Sequence, residues 1–138
     1  MKPFIIITLL IAFAYSAIAS KEGILAFSSF RLASAGIGSS GEVVVEGRQD
    51  AEGQITALTI NAFGKNYVVP KEQLTKLAEL RSNGIRISYE HGYPELGGRT
   101  VYIQLQMGFT SSTRMEALIS LSENGEIKVG NIQQNNND

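Results

Sequence analysis

Apolar and polar residues alternate with a period of two along most of this chain, and the places where that period changes outline its architecture. Residues 42–46 (EVVVE) are dense in β-branched valine, and residues 55–61 (ITALTIN) follow after a polar turn through Gln49, Asp50, Ala51, Glu52 and Gly53. Two such runs joined by a short turn predict a hairpin. Gly64 and Lys65 make a second turn, into Tyr67, Val68 and Val69. The period then shifts. Pro70 suits the first turn of a helix, where its missing N–H has no partner to lose. Leu74, Leu77, Ala78 and Arg81 recur at helical spacing before the stop signal of Asn83 and Gly84. One helix of about three turns is expected there.

Beyond the helix the alternation returns. Ile85, Ile87 and Tyr89 share one side of a strand and Arg86, Ser88 and Glu90 the other. Val101, Ile103, Leu105 and Met107 repeat the pattern opposite Tyr102, Gln104 and Gln106. Residues 115–121 and 126–132 flank Asn124 and Gly125, a pair suited to the positive φ angles of a tight hairpin turn. Residues 24–32 (ILAFSSFRL) fit a strand or a short helix, and the strand is the preferred reading because the Gly-rich segment that follows makes a turn back into residues 42–46. Residues 133–138 (QQNNND) contain nothing apolar and are expected to form a solvated, disordered tail. Consecutive strands joined by short turns run antiparallel. The expectation is therefore a single α+β domain over residues 20–132: a mostly antiparallel sheet of six to eight strands with one helix packed on it.

Residues 1–19 stand apart from this pattern. Lys2 precedes an apolar run through residues 4–14, and Ala17, Ile18 and Ala19 supply the small-x-small motif that signal peptidases accept. Cleavage is expected before Ser20, leaving an exported protein, periplasmic or secreted. The apolar stretch is short for a retained anchor, which needs about 20 predominantly apolar residues. The chain has no cysteine, so disulfides, thiol chemistry and lipid attachment through cysteine are all excluded. The exported domain is held by its core alone.

Charge narrows the function further. The formal net charge is −1, with basic and acidic residues interspersed, so the clustered basic face typical of nucleic-acid binding is lacking. Gly36, Gly38 and Gly41 spell a formal G-x-G-x-x-G. That fingerprint opens a helix, whereas here a valine-rich strand follows, and a flexible turn is the better reading. No cofactor is implied. His91 is the only histidine, and with scattered glutamates it makes a poor metal-ligand set and a poor candidate for a general base. No serine lies in G-x-S-x-G. Glu42 and Glu46 lie about 13 Å apart on one strand, too far for the usual glycosidase pair.

The unusual stretch is residues 89–99 (YEHGYPELGGR), which gathers aromatic, glycine and charged residues between two well-patterned strands. Such loops on rigid scaffolds are where binding commonly sits. Tyrosine and arginine combine broad contact area with hydrogen-bonding groups. The candidate binding residues are Tyr89, His91, Tyr93 and Arg99, with Tyr102 on the adjacent polar strand face. The composition fits a small binding or inhibitor-like module whose partner is an extracytoplasmic protein or an envelope carbohydrate. The alternatives are a cell-envelope hydrolase built on His91 or a carboxylate pair, and an assembly component that adds strands edge to edge.

Overall fold

The computed structural model describes residues 27–35, 41–90, 98–108 and 113–136. Among them, nine strands form two antiparallel sheets. The first is a meander of β1 (Ser29–Ser34), β2 (Val43–Gln49), β3 (Ile55–Ala62) and β4 (Lys65–Val68). The second follows β5 (Gly84–Glu90), β6 (Thr100–Met107), β7 (Thr113–Ser122) and β8 (Ile127–Val129), with β9 (Gln133–Asn136) also paired to β7. One short helix, α1 (Lys71–Leu74), continues as a 3-10 turn (Thr75–Leu77) and links the sheets.

The α+β class and the antiparallel pairing are as the alternation predicts, but the strands divide into sheets of four and five. The reason is coverage. Each sheet has one apolar face, and a four-residue helix is too small to cover an eight-stranded one, so the two faces cover each other. Val43, Val45, Leu58 and Ile60 from the first sheet share one buried cluster with Val101, Ile103, Leu105, Ile119 and Leu121 from the second.

The helix is shorter than its spacing suggests. Leu74, Leu77 and Leu80 are all buried, whereas Arg81 is exposed. A repeat of three is the period of a 3-10 turn, which Thr75–Leu77 adopt, and the Leu80 N–H bond to the Leu77 carbonyl at 3.0 Å carries that spacing on to Leu80. Gln73 lies on the flank of α1. Its Nε2 donates to the Ile127 carbonyl at 3.2 Å and its Oε1 accepts from the Val129 N–H at 3.1 Å. Lys76 Nζ donates to the Val129 carbonyl at 3.1 Å. These side chains take the place of a neighbouring strand and close the β8 edge.

Two bulges explain where the alternation slips. Arg48 pairs with Ala57 but Gln49 pairs with Ile55, leaving Thr56 as an extra residue. Ile55 and Leu58, three apart, consequently both face the core. On the far edge, Val129 pairs with Ile119 and Gln133 with Glu116, so residues 130–132 oppose only residues 117 and 118. The expected hairpin at Asn124 and Gly125 joins β7 to β8, with Gly125 at φ +92°. The strand expected within residues 24–32 begins at Ser29, and Phe30 lies over Gly47, where any Cβ would strike its ring.

Gln133–Asn136 form a strand where their composition predicts a disordered tail. Polarity is no obstacle here because the ladder to β7 satisfies the backbone. In addition, Asn135 Nδ2 donates to Glu116 Oε1 at 2.6 Å.

Candidate functional site

Of the five candidate residues, Tyr89 and Arg99 adjoin and their side chains interact, while Tyr102 faces outward from the sheet. His91 and Tyr93 lie outside the described residues. Tyr89 shares the inner side of β5 with Ile85 and Ile87, half-buried against the core. Tyr102, one residue out of phase with Val101 and Ile103, faces outward from β6, and its hydroxyl donates to Glu90 Oε2 at 2.8 Å. That bond to a carboxylate raises the Tyr102 pKa.

Arg99 sits at the entry to β6 and is clamped. Its Nε donates to Glu123 Oε2 at 2.8 Å, its Nη2 donates to Glu123 Oε1, and its backbone N–H reaches Oε2 at 3.2 Å. The Glu123 N–H donates in return to the Arg99 carbonyl at 2.8 Å. The guanidinium also lies 5.3 Å from the centre of the Phe63 ring. Phe63 has φ +54° in the turn between β3 and β4, a costly conformation for a residue with a large side chain. The clamp thus ties a turn of one sheet to a strand end of the other.

The hydrogen bond from the Arg99 side chain, reinforced by its backbone N–H, holds the Glu123 carboxyl down at about 2, and the same contact makes Arg99 more basic than usual. A carboxyl whose pKa falls on folding stabilises the fold above its unfolded pKa, near 4.5, and loses that contribution as pH falls towards 2. The melting temperature of the native chain should therefore exceed that of Glu123→Gln at pH 6, with the gap closing between pH 4.5 and 2. High salt should narrow the gap, since Glu123 is partly exposed. A gap independent of pH would show that the pair does not carry this stability.

An open groove of about 380 Å³ lies on the outer face of the second sheet. Register explains it. Tyr102, Ser120 and Lys128 form one row across the strands; Gln104, Leu118 and Gly130 form the next; Glu116 and Gln133 form the third. Gly130 contributes no side chain to the middle row, so that row is the floor and its neighbours are walls. The bulge at residues 130–132 sets Asn131 beside the gap and turns Gln133 to the outer face. Leu118 is 48% exposed on this floor. Glu116 is the anchor of the third row: Gln104 Nε2 donates to its Oε2 at 2.9 Å, and Arg114 Nε lies 3.2 Å from the same oxygen.

Comparison of the chain with protein-family models, with characterised proteins and with solved structures finds no match. The reading of the site therefore rests on its own geometry. Tyr102 and Gln104 lie on the outer face, as their alternation predicts, but Gln106 is only 5% exposed, opposite Glu116 and beside Asn83, whose N–H bonds its carbonyl at 2.9 Å. The groove opens towards β7 and β8 and not towards Arg86 and Ser88. Its remaining residues escaped the sequence reading, although one signal was present. With Ala117, Ile119 and Leu121 inward, Leu118 has to face water, which puts an apolar side chain on the outer face. Among the described residues no group of three or more His, Asp or Glu is placed to hold a metal ion, and no helix is long and apolar enough to cross a membrane.

Proposed function

We propose that this chain is a small exported binding module without catalytic activity, inhibitor-like in scale. Its contact surface comprises residues 89–99 and the adjacent outer face of the second sheet. The observation that carries the reading is the groove in which a half-exposed Leu118 is flanked by Tyr102 on one side and Glu116 on the other. An apolar floor ringed by polar side chains is the usual composition of a recognition site. Partners of two kinds suit an extracytoplasmic location, a protein or an envelope carbohydrate. The rival in which strands add edge to edge is opposed at β8, whose edge Gln73 and Lys76 occupy.

The test is capture of partners from a periplasmic or extracellular extract by the immobilised exported chain, with its N-terminus read by mass spectrometry. A terminus at Ser20 is expected. Tyr102→Ala and Tyr93→Ala should keep the native melting temperature and lose the captured material. If both variants are stable and retain everything that the native chain retains, the contact surface lies elsewhere and the proposal is overturned. An intact Met1 on the exported chain would overturn the export reading.

A further inference from the structure

We infer that the groove across β6, β7 and β8 is a binding site for a neutral saccharide, an inference that rests on the binding-module reading and names the ligand class. The chemistry of the walls leads to it. A sugar ring presents C–H bonds on its faces and hydroxyls around its rim, each hydroxyl both donor and acceptor. A matching site needs an apolar or aromatic surface beside groups that can donate and accept at once. Leu118 and the Tyr102 ring provide the first. The amides of Asn131 and Gln133 and the hydroxyl of Ser120 provide the second, and among the described residues these three side chains have no protein hydrogen-bond partner.

The charges in the groove are already balanced, which argues for a neutral ligand. Glu116 receives Gln104 and Asn135 and pairs with Arg114, while Lys128 Nζ lies 3.2 Å from Glu126. The two charged lining residues, Glu116 and Lys128, are opposite in sign, so neither an anionic nor a cationic ligand meets a net charge. A peptide ligand fits less well. Gln104 and Leu118 of the floor lie on β6 and β7, interior strands whose backbone groups are committed to the ladder on both sides, so a peptide could not add main-chain bonds to them.

The space is built by two features of the edge strand. Gly130 leaves the floor open, and the bulge places the Asn131 amide at its rim. A Cβ at Gly130 would lie 3.2 Å from the Leu118 carbonyl, a tight contact that requires the paired backbone to give by a few tenths of an ångström. The volume of about 380 Å³ falls in the lower part of the range for small-molecule sites and has room for one or two sugar rings.

The experiment is a titration of the isotopically labelled exported chain, followed by amide NMR, with cello-, malto- and chito-oligosaccharides of two to six units. At least one series should bind, shifting the amides of residues 118, 120 and 130–133. Gly130→Gln and Tyr102→Ala should each weaken that binding by about tenfold or more, Tyr102→Ala while retaining the native melting temperature. Arg31→Ala, on the outer face of the other sheet, should leave it unchanged. No shift up to 10 mM of any of these oligosaccharides would overturn the inference, as would binding that survives Gly130→Gln. If the extract experiment meanwhile yields a protein lost on Tyr102→Ala, the binding-module reading stands and only the saccharide assignment falls. If neither experiment yields a partner that depends on this face, both fall.

Discussion

Replacing Leu77 with alanine should cost about 2 to 5 kcal/mol, whereas Lys76→Ala, its neighbour, should cost less than about 1 kcal/mol. Leu77 is fully buried in the 3-10 turn and belongs to the cluster shared by both sheets. Truncation removes its transfer energy and leaves a cavity that two rigid sheets are poorly able to close. Lys76 is exposed, and its loss removes one hydrogen bond to the Val129 carbonyl. Urea denaturation of the two variants measures the difference. Equal midpoints would show that the turn does not seal the core. Leu80→Ala should resemble Leu77→Ala, and Arg81→Ala should resemble Lys76→Ala. A helix continuing at 3.6 residues per turn would put Arg81 on the stripe with Leu74 and Leu77.

Gln49→Leu should cost about 2 to 4 kcal/mol although it adds apolar surface to a site only 7% exposed. Gln49 Nε2 donates to the Phe27 carbonyl at 2.7 Å and to the Ser82 carbonyl at 3.0 Å, while its Oε1 accepts from the Ser82 N–H at 3.0 Å. Phe27 N–H also donates to the Ser82 carbonyl at 3.0 Å. One amide thus joins the end of β2, the start of β1 and the segment before β5, and leucine would leave the buried Ser82 N–H without its acceptor. Gln49→Glu separates the hydrogen bonds from the packing. Its carboxylate still accepts from Ser82 but faces two carbonyls, so the variant should be less stable than Gln49→Leu at pH 7 and recover part of the loss when acid restores a donor. Equilibrium denaturation at pH 7 and pH 4 reads both effects, and amide exchange at Ser82 reports the junction directly. A Gln49→Leu variant as stable as the native chain would refute this role.

The sequence was most legible where one periodicity ran uninterrupted. Val101, Ile103 and Leu105 point inward and Tyr102 and Gln104 outward, because in an extended chain side chains must alternate. The hairpin between β7 and β8 was legible for a similar reason: Asn124 and Gly125 have few other uses between two apolar runs. The candidate site was less so. A strand pattern says which residues share a face but not which strand lies beside them, so Tyr102 and Gln104 could be placed on a surface while Glu116, Lys128 and Gln133 could not be placed next to them. Tyr89 and Arg99 do adjoin, but how they stand to the groove was illegible for the same reason. Tyr89 turns inward, Arg99 is held by Glu123 and Phe63, and Tyr102 alone of the three faces the groove.

Local chemistry by itself determined the absence of any thiol or disulfide, the antiparallel hairpins and the inward faces of β5 and β6, since each depends on residue type or on neighbours a few positions away. Tertiary structure decided the rest. The division into two sheets follows from the need of each apolar face for cover larger than one short helix. The 3-10 spacing of Leu74, Leu77 and Leu80 follows from the core they fill, and the ordering of Gln133–Asn136 follows from a partner strand that supplies the hydrogen bonds. The groove, likewise, exists only because the bulge at residues 130–132 and the bare Gly130 fall opposite Leu118. That meeting depends on strand register, which side-chain packing and backbone pairing fix jointly across the whole sheet.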